Sequence, residues 1–282
     1  MVAFTVFWWP IYWYGIFYLV TFFAWYQFLL FVWKSKVFSQ FKWLQSLLTD
    51  KIDDLVFVAL LWVILWWRLG HVVLYELSYY ISNPSEILSF WQWWMSFVGG
   101  VIWVILWLFW LTRKVWLKKK ELFLLGDIIL CIVPLWSMLG RIGNFLNQEL
   151  WWLPVDQLQP LVQSLVKGVW LDYVYVTVDT QVRVNTNFFQ SFTEWFLILC
   201  LTQFVFFTRY MKNNIRPGMI TWLFFVSYGT FRFFAEYLKE LPSTEMLGIF
   251  SISQWIMFVF VAIWCWFLVI SQREDMFVSN KK

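Results

Sequence analysis

Residues 11–33 read IYWYGIFYLVTFFAWYQFLLFVW, a run without one Asp, Glu, Lys or Arg. At 1.5 Å of rise per residue, about 20 such positions cross the roughly 30 Å hydrocarbon core of a bilayer as a helix. Comparable, predominantly apolar runs recur at 55–72, 96–112, 121–140, 189–208, 218–237 and 248–270. The pattern predicts an all-α membrane protein with seven transmembrane helices. Composition points the same way, because a chain that is 62% hydrophobic, 24% aromatic and 13% charged has too little polar surface to clothe a soluble globule of 282 residues. No basic segment precedes the first run and no small-residue cleavage site follows it, so it is expected to remain as a span rather than to be removed as a signal.

Basic residues in short loops are retained on the cytoplasmic side. One set of loops holds Lys34, Lys36, Lys42 and Lys51, then Arg113, Lys114, Lys118, Lys119 and Lys120, then Arg209, Lys212 and Arg216, and finally Arg273, Lys281 and Lys282. The other side holds only Arg68, Arg141, Lys167, Arg183, Arg232 and Lys239. The N-terminus is therefore expected outside and the C-terminus in the cytoplasm. The net charge of +4 follows from this sorting and is no nucleic-acid footprint. The basic residues left outside are the informative ones, since the sorting rule disfavours them there.

The expected organisation is one integral domain. Residues 1–144 carry the first four spans, with an outer-surface segment at 72–95. Residues 145–188 form an extracytoplasmic head, and 189–282 carry the last three spans and a cytoplasmic tail. In the outer segment, Asn83-Pro84-Ser85 followed by Glu86 reads as a turn leading into a short helix. In the head, Tyr173–Val178 and Gln181–Asn185 alternate apolar and polar residues around Asp179-Thr180, a hairpin pattern that gives the head some β structure.

Cys131, Cys200 and Cys265 fall inside apolar spans at spacings that suggest no metal, and the one histidine, His71, excludes a histidine-based cluster. No metal or cofactor is implied. Two polar clusters stand out at span ends. Arg141, Asn144, Asn147 and Glu149 crowd the end of the fourth span, where a guanidinium is costly to desolvate without a partner. Arg232 and Glu236, four apart late in the sixth span, share a helix face and can pair. Each cluster alone fits a polar span end facing headgroups, with the arginine snorkelling. Two arginines at one membrane depth on separate spans also fit a phosphate clamp.

The stretch Gly140-Arg141-Ile142-Gly143-Asn144-Phe145-Leu146-Asn147, continued by Glu149-Leu150, resembles the signature of the prolipoprotein diacylglyceryl transferases. Tyr12-Trp13-Tyr14-Gly15, Arg68-Leu69-Gly70, Met95-Ser96-Phe97 before Gly99-Gly100, and Tyr228 to Glu236 are similar to further segments of that family, in the same order; Asp127 fits as well. The resemblance implies transfer of a diacylglyceryl group from phosphatidylglycerol to the lipobox cysteine thiol of a prolipoprotein, with glycerol phosphate released, at the outer face of a bacterial inner membrane. Phosphatidylglycerol, lipobox-containing signal peptides and membrane lipids are the implied partners. On this reading Arg141 and Arg232 bind phosphate, and Asn144 and Asn147 hold polar headgroup atoms. Glu149 and Glu236 orient arginines or glycerol hydroxyls, Tyr14 lines the lipid pocket, and Arg68 and Asp127 complete the substrate-binding set. Two departures accompany it. Val98 stands where the family has a histidine before the paired glycines, and Val184 to Gln190 stand where it has a histidine-proline stretch. A non-catalytic, lipid-binding relative that keeps the arginine clamp therefore remains the alternative. A retinal protein is disfavoured, because 248–270 holds no lysine for a Schiff base.

The chain has 25 tryptophans and only 11 glycines, although glycine near 7% is ordinary and membrane helices are richer still. Trp66, Trp67, Trp93, Trp94, Trp103, Trp136, Trp152 and Trp195 each stand where the resembling family carries glycine. Deficit, excess and position together imply a gene that uses UGA for glycine, here written out as tryptophan. Sequencing the gene checks this: UGA codons are expected at most of these positions, and UGG at most of them would overturn it.

Overall fold

The computed structural model of the chain describes residues 2–6, 9–41, 44, 45, 72, 77–87, 119–238 and 246–273. The expected spans at 96–112 and, except for Val72, at 55–72 lie outside these residues. The chain divides into two compact units, Leu29–Leu122 and Met1–Phe28 with Phe123–Lys282.

A short antiparallel pair, β1 (Val2–Val6) and β2 (Trp9–Tyr12), opens the chain and runs directly into α1 (Trp13–Ser35). In the unit 29–122, α2 (Leu77–Ser82) precedes Asn83 and a single 3₁₀ turn, Pro84–Glu86. Thus the Asn83–Glu86 turn follows a helix. Proline at the first position of the turn needs no N–H donor there, and the turn is tied back by Asn83 Nδ2 donating to the Tyr79 carbonyl at 3.1 Å and Tyr79 Oη donating to Glu86 Oε2 at 2.9 Å.

The second unit is mostly helical. α3 (Lys119–Leu130) and α4 (Val133–Leu146) form one apolar stretch with a break between them. Pro134 supplies no N–H to the turn before it, and the Leu135 N–H bonds to Ile132 rather than to Cys131. The Cys131 carbonyl freed in this way accepts a 2.8 Å bond from Gln203 Nε2. In hydrocarbon no water could have done this. After α4 come α5 (Pro160–Gly168), the strands β3 (Asp172–Val174) and β4 (Val182–Val184), and a short α6 (Thr186–Gln190). α6 continues through a π-helical turn, Ser191–Phe196, into α7 (Leu197–Thr208). α8 (Met219–Ala235) follows, then the two-residue strands β5 (Met246–Leu247) and β6 (Phe250–Ser251), and α9 (Ile252–Arg273).

Three helical stretches, Gly15–Ser35, Glu121–Leu146 and Thr186–Lys212, are long and apolar enough to cross a membrane. Their outward side chains are large hydrophobes: Leu19 is 72% exposed, Phe23 67% and Phe204 66%. Lipid-facing helices explain such a surface, and water-facing ones do not. The protein is a mostly helical membrane protein with small pieces of sheet.

Between α4 and α6, β3 and β4 pair in register Tyr173↔Arg183, joined by a connection longer than a two-residue turn. Val155, Leu158, Val166 and Val184 form a small core beneath them, with Leu153, Val162, Leu171 and Leu238 packed against it. The 7% exposed Arg183 fastens this segment. Its guanidinium donates to Asp179 Oδ2 at 2.6 Å and to the Trp152 carbonyl at 2.8 Å, and it lies 4.4 Å from the centre of the Trp151 ring. α8 and α9 pack along one another, with the Phe225 and Trp264 rings stacked at 4.5 Å. Ser251 and Gln254 bond each other's N–H groups reciprocally at the start of α9, a capping box that needs no water.

Asp127 joins α3 to α8. Its carboxylate is 1% exposed and accepts four hydrogen bonds: from Tyr210 Oη at 2.6 Å, the Gly218 and Thr221 N–H groups at 2.7 Å each, and Thr221 Oγ1 at 2.8 Å. Two of these donors are backbone groups at the N-terminus of α8, where a carboxylate also meets the positive end of the helix dipole. The close approach needs glycine twice. A Cβ on Gly126 would stand 2.9 Å from Thr221 Oγ1, and Gly218, at φ +86°, would press a Cβ to 3.2 Å from Phe123.

Asp127→Ala orphans these buried donors, at about 1–3 kcal/mol for each one left unsatisfied, and is expected to cost at least about 3 kcal/mol. Asp127→Asn, which keeps one acceptor oxygen, should lose less. Thermal unfolding in detergent measures both, and unchanged melting would refute the role. The Arg183 guanidinium holds the Asp179 carboxyl below the usual carboxylate range. A depressed acid contributes above its ordinary pKa of about 3.9 and loses that contribution as pH falls through the folded value. Exchange of the Val184 amide, which bonds the Leu153 carbonyl at 3.1 Å, should therefore be flat from pH 7 to 5 and accelerate only in stronger acid, after correction for intrinsic rates.

Candidate functional site

At the end of α4 the chain carries Arg141, Asn144 and, at its C-cap, Asn147. It then turns through Gln148 at φ 56° and Leu150 at φ 56°, left-handed positions for side-chain-bearing residues. Such conformations persist where their surroundings over-determine them. Here the Glu149 N–H bonds the Asn144 carbonyl at 2.9 Å, Gln148 Oε1 accepts from both the backbone N–H and the hydroxyl of Thr177 at 2.9 Å, and Asn187 Nδ2 donates to the Glu149 carbonyl at 2.6 Å. The exposed Glu149 side chain accepts from Asn147 Nδ2 at 3.2 Å.

Asn187 is set by α6, whose N-cap is Asn185. Its Oδ1 accepts from the Phe188 N–H at 3.1 Å and from Tyr175 Oη at 3.3 Å. Burial pushes the Tyr175 hydroxyl up to about 12, so it stays protonated and keeps donating. The π-helical turn that follows α6 packs on α4, where Ser191 Oγ donates to the Met138 carbonyl at 3.3 Å. π-helical turns insert a residue and are frequent at functional sites.

This turn carries Glu194, 1% exposed. One of its oxygens, Oε1, accepts from Gln190 Nε2 at 3.0 Å and lies 3.7 Å from Arg232. The other terminal nitrogen of Arg232 lies 3.2 Å from Glu236, also 1% exposed, as the four-residue spacing predicts. Arg141 is near enough to interact electrostatically with Glu194 and with Tyr228. α4, the π-helical turn and α8 thus bring two arginines, two carboxylates and a tyrosine together in a water-poor place. The ring of Trp195 stacks on Tyr228 at 5.1 Å, and its indole N–H is buried without a hydrogen-bond partner among the described residues.

Of the residues singled out from sequence, Arg141, Arg232 and Glu236 converge around Glu194. Asn144, Asn147 and Glu149 lie on the turn that ends the same helix as Arg141. Asp127 is not brought into the group, for its carboxylate faces Tyr210, Gly218 and Thr221, and at 1.5 Å per helical residue it stands roughly 20 Å along the chain from Arg141. Tyr14 sits in the first turn of α1. Arg68, His71 and Val98 lie outside the described residues. Glu194 and Gln190 were not found by the sequence reading. A carboxylate alone in the apolar run 189–208 was the available clue, since ionisable residues within spans are functional candidates by default.

A family model described as prolipoprotein diacylglyceryl transferase matches residues 1–270 of the chain. The chain is 31% identical over 273 residues to the phosphatidylglycerol–prolipoprotein diacylglyceryl transferase of Methylobacillus flagellatus, covering 94% of this chain and 93% of that one. It is 31% identical to the protein of the same name from Dechloromonas aromatica over 93% of this chain and 91% of the relative. With that of Nitrosomonas europaea it shares 34% over 76% and 70%.

Proposed function

This chain belongs to the prolipoprotein diacylglyceryl transferase family, and from that membership we infer that the buried cluster around Arg141 and Arg232 is its donor site. The protein is a membrane-bound transferase that moves the diacylglyceryl group from phosphatidylglycerol to prolipoproteins. Within that activity, the acceptor is the lipobox cysteine thiol, the leaving group is glycerol phosphate, and the chain spans a bacterial inner membrane seven times with the site towards the outer face. The distribution of Lys and Arg supports the orientation.

The observation that carries the assignment is Arg232 at 3.7 Å from the buried Glu194, with Arg141 in electrostatic range of the same carboxylate. When the glycerol carbon is attacked, its bond to the phosphate oxygen breaks, and a phosphodiester with one negative charge becomes a monoester approaching two. Guanidinium groups in a water-poor site stabilise charge developing there more than solvated ones could. Their planar forks also fix the phosphate by paired hydrogen bonds. Asn144 and Asn147 stand one and two helical turns beyond Arg141, where amide groups suit the hydroxyls of the headgroup glycerol. Glu149 at the rim and Glu236 beside Arg232 orient the site. Tyr14 and Arg68 belong to the wider substrate-binding set that the family resemblance implies; Asp127, which the resemblance also places there, binds no substrate atom and acts by fixing α8 and hence Arg232.

Arg141→Lys and Arg232→Lys keep the charge and lose the fork. Each is expected to lower kcat/KM for transfer from phosphatidylglycerol to a lipobox peptide by about 100-fold or more, the scale of losing one preorganised donor. Reconstituted enzyme in vesicles with radiolabelled donor measures this, and wild-type turnover in both variants would remove the clamp from the mechanism.

A further inference from the structure

Thiol transfer requires a proton acceptor; the chain's single histidine, His71, lies outside the described residues, and the acceptor is sought among those described. Two of the carboxylates there, Glu194 and Glu236, are equally buried, and Glu194 is the one carried by an element other than those that carry the two arginines. Glu236 shares the face of α8 with Arg232, and Glu149 is exposed and bonded to Asn147. Glu194 spends only one oxygen, Oε1, on Gln190 and Arg232. Its other oxygen, Oε2, is buried and has no hydrogen-bond partner among the described residues. An ionised oxygen left so in a water-poor site is an unmet acceptor, and it sits within the electrostatic reach of both arginines.

We propose that Glu194 Oε2 is the general base that takes the proton from the acceptor cysteine. This rests on the reading of the cluster as the donor site. In the step, the S–H bond breaks and an O–H bond forms on Glu194. The sulfur lone pair forms the new S–C bond to the terminal glycerol carbon, while the C–O bond to phosphate breaks and its electron pair leaves on the phosphate oxygen. The proton later passes from Glu194 to water as product departs.

Charge supports the assignment independently. With donor bound, the site holds Arg141, Arg232, the carboxylates of Glu194 and Glu236, and one phosphodiester charge. As the phosphate gains its second charge, protonation of Glu194 removes one, so the buried total is unchanged. Arg232, held between two carboxylates, is at that moment left with one and can turn its charge to the leaving group. In a medium of low dielectric, a step that keeps net charge constant avoids a large desolvation penalty.

The test uses the full-length enzyme in vesicles containing phosphatidylglycerol, with a lipobox peptide carrying cysteine and the same peptide carrying selenocysteine, whose selenol is already ionised at neutral pH. Glu194→Gln keeps the shape and the bond to Gln190. At pH 7 with the cysteine peptide, kcat is expected to fall by about 10²–10⁴-fold, the typical worth of a positioned base, with KM for the donor not raised. The deficit should shrink towards pH 9, as a free thiol of pKa about 8.5 ionises unaided, and should largely vanish with selenocysteine. Among the described residues, the groups facing Glu194 are Gln190, Arg141, Arg232, Glu236 and Tyr228, all unchanged in the variant. A deficit equal at every pH and with both peptides would mean that Glu194 merely holds Arg232, and would overturn the proposal, as would near-wild-type kcat. If Glu194→Gln does not fold, Glu194→Asp carries the test: its deficit should be larger with cysteine than with selenocysteine, and equal deficits overturn the proposal. A wild-type enzyme that transfers to neither peptide would instead refute the donor-site reading.

Discussion

A charge held inside hydrocarbon must be answered by another charge or by a hydrogen-bond donor, because no water is present to do it. This chain meets the requirement in two different ways at two places. Asp127 is answered completely, by four donors between 2.6 and 2.8 Å. A carboxylate so enclosed has nothing left to offer a ligand and acts as a joint, fixing the start of α8 against α3. Glu194 is answered on one oxygen only. The contrast between a saturated and an unsaturated carboxylate separates structure from chemistry more sharply than burial does, since both residues are 1% exposed.

The two places are coupled through α8. Its N-terminus is held by Asp127 and its last turn presents Arg232, so the position of the guanidinium depends on a contact at the other end of a 17-residue helix. α4 is set in a similar manner. The break before Val133 frees the Cys131 carbonyl, which Gln203 of α7 takes up, and Ser191 ties the π-helical turn to Met138. Gln203 and Ser191 thus each satisfy a backbone group and fix one helix against another in the same bond. Helices in a bilayer gain little from burying apolar area against each other, because lipid is as apolar as a neighbouring helix. Sparse polar contacts must then set the geometry, and the site inherits its precision from them.

How much of this was legible in the sequence follows from the range of the interactions. Uncharged runs of about 20 residues identify membrane helices locally, and Arg232 with Glu236 is an i,i+4 pair that spacing alone predicts. Arg141 and Arg232 could be grouped because both lie at span ends of one sign. The four donors around Asp127 come from residues 83 to 94 positions away, and no local pattern announces them; its spacing before Arg141 reads equally well as part of the site. Glu194 was visible as a lone carboxylate in an apolar run, yet its meaning required Arg232, brought to it from another helix. Arg183 shows the reverse case. Counted among the basic residues expected outside the membrane, it is bound to Asp179 and the Trp152 carbonyl within its own segment.

Trp195 connects the chemistry of the site to the unusual composition. Its ring lies against Tyr228, one residue from Glu194, and its indole N–H is buried without a partner among the described residues; Trp222 buries another such N–H. A donor left unanswered where water is scarce costs about as much as the hydrogen bonds that hold the rest of the cluster together. Glycine at 195 removes that orphan. It also leaves open the volume now occupied by the indole against Tyr228, one residue from Glu194. The same replacement that would restore an ordinary glycine content therefore removes a buried unmet donor and opens space beside Glu194, two consequences that composition by itself does not predict.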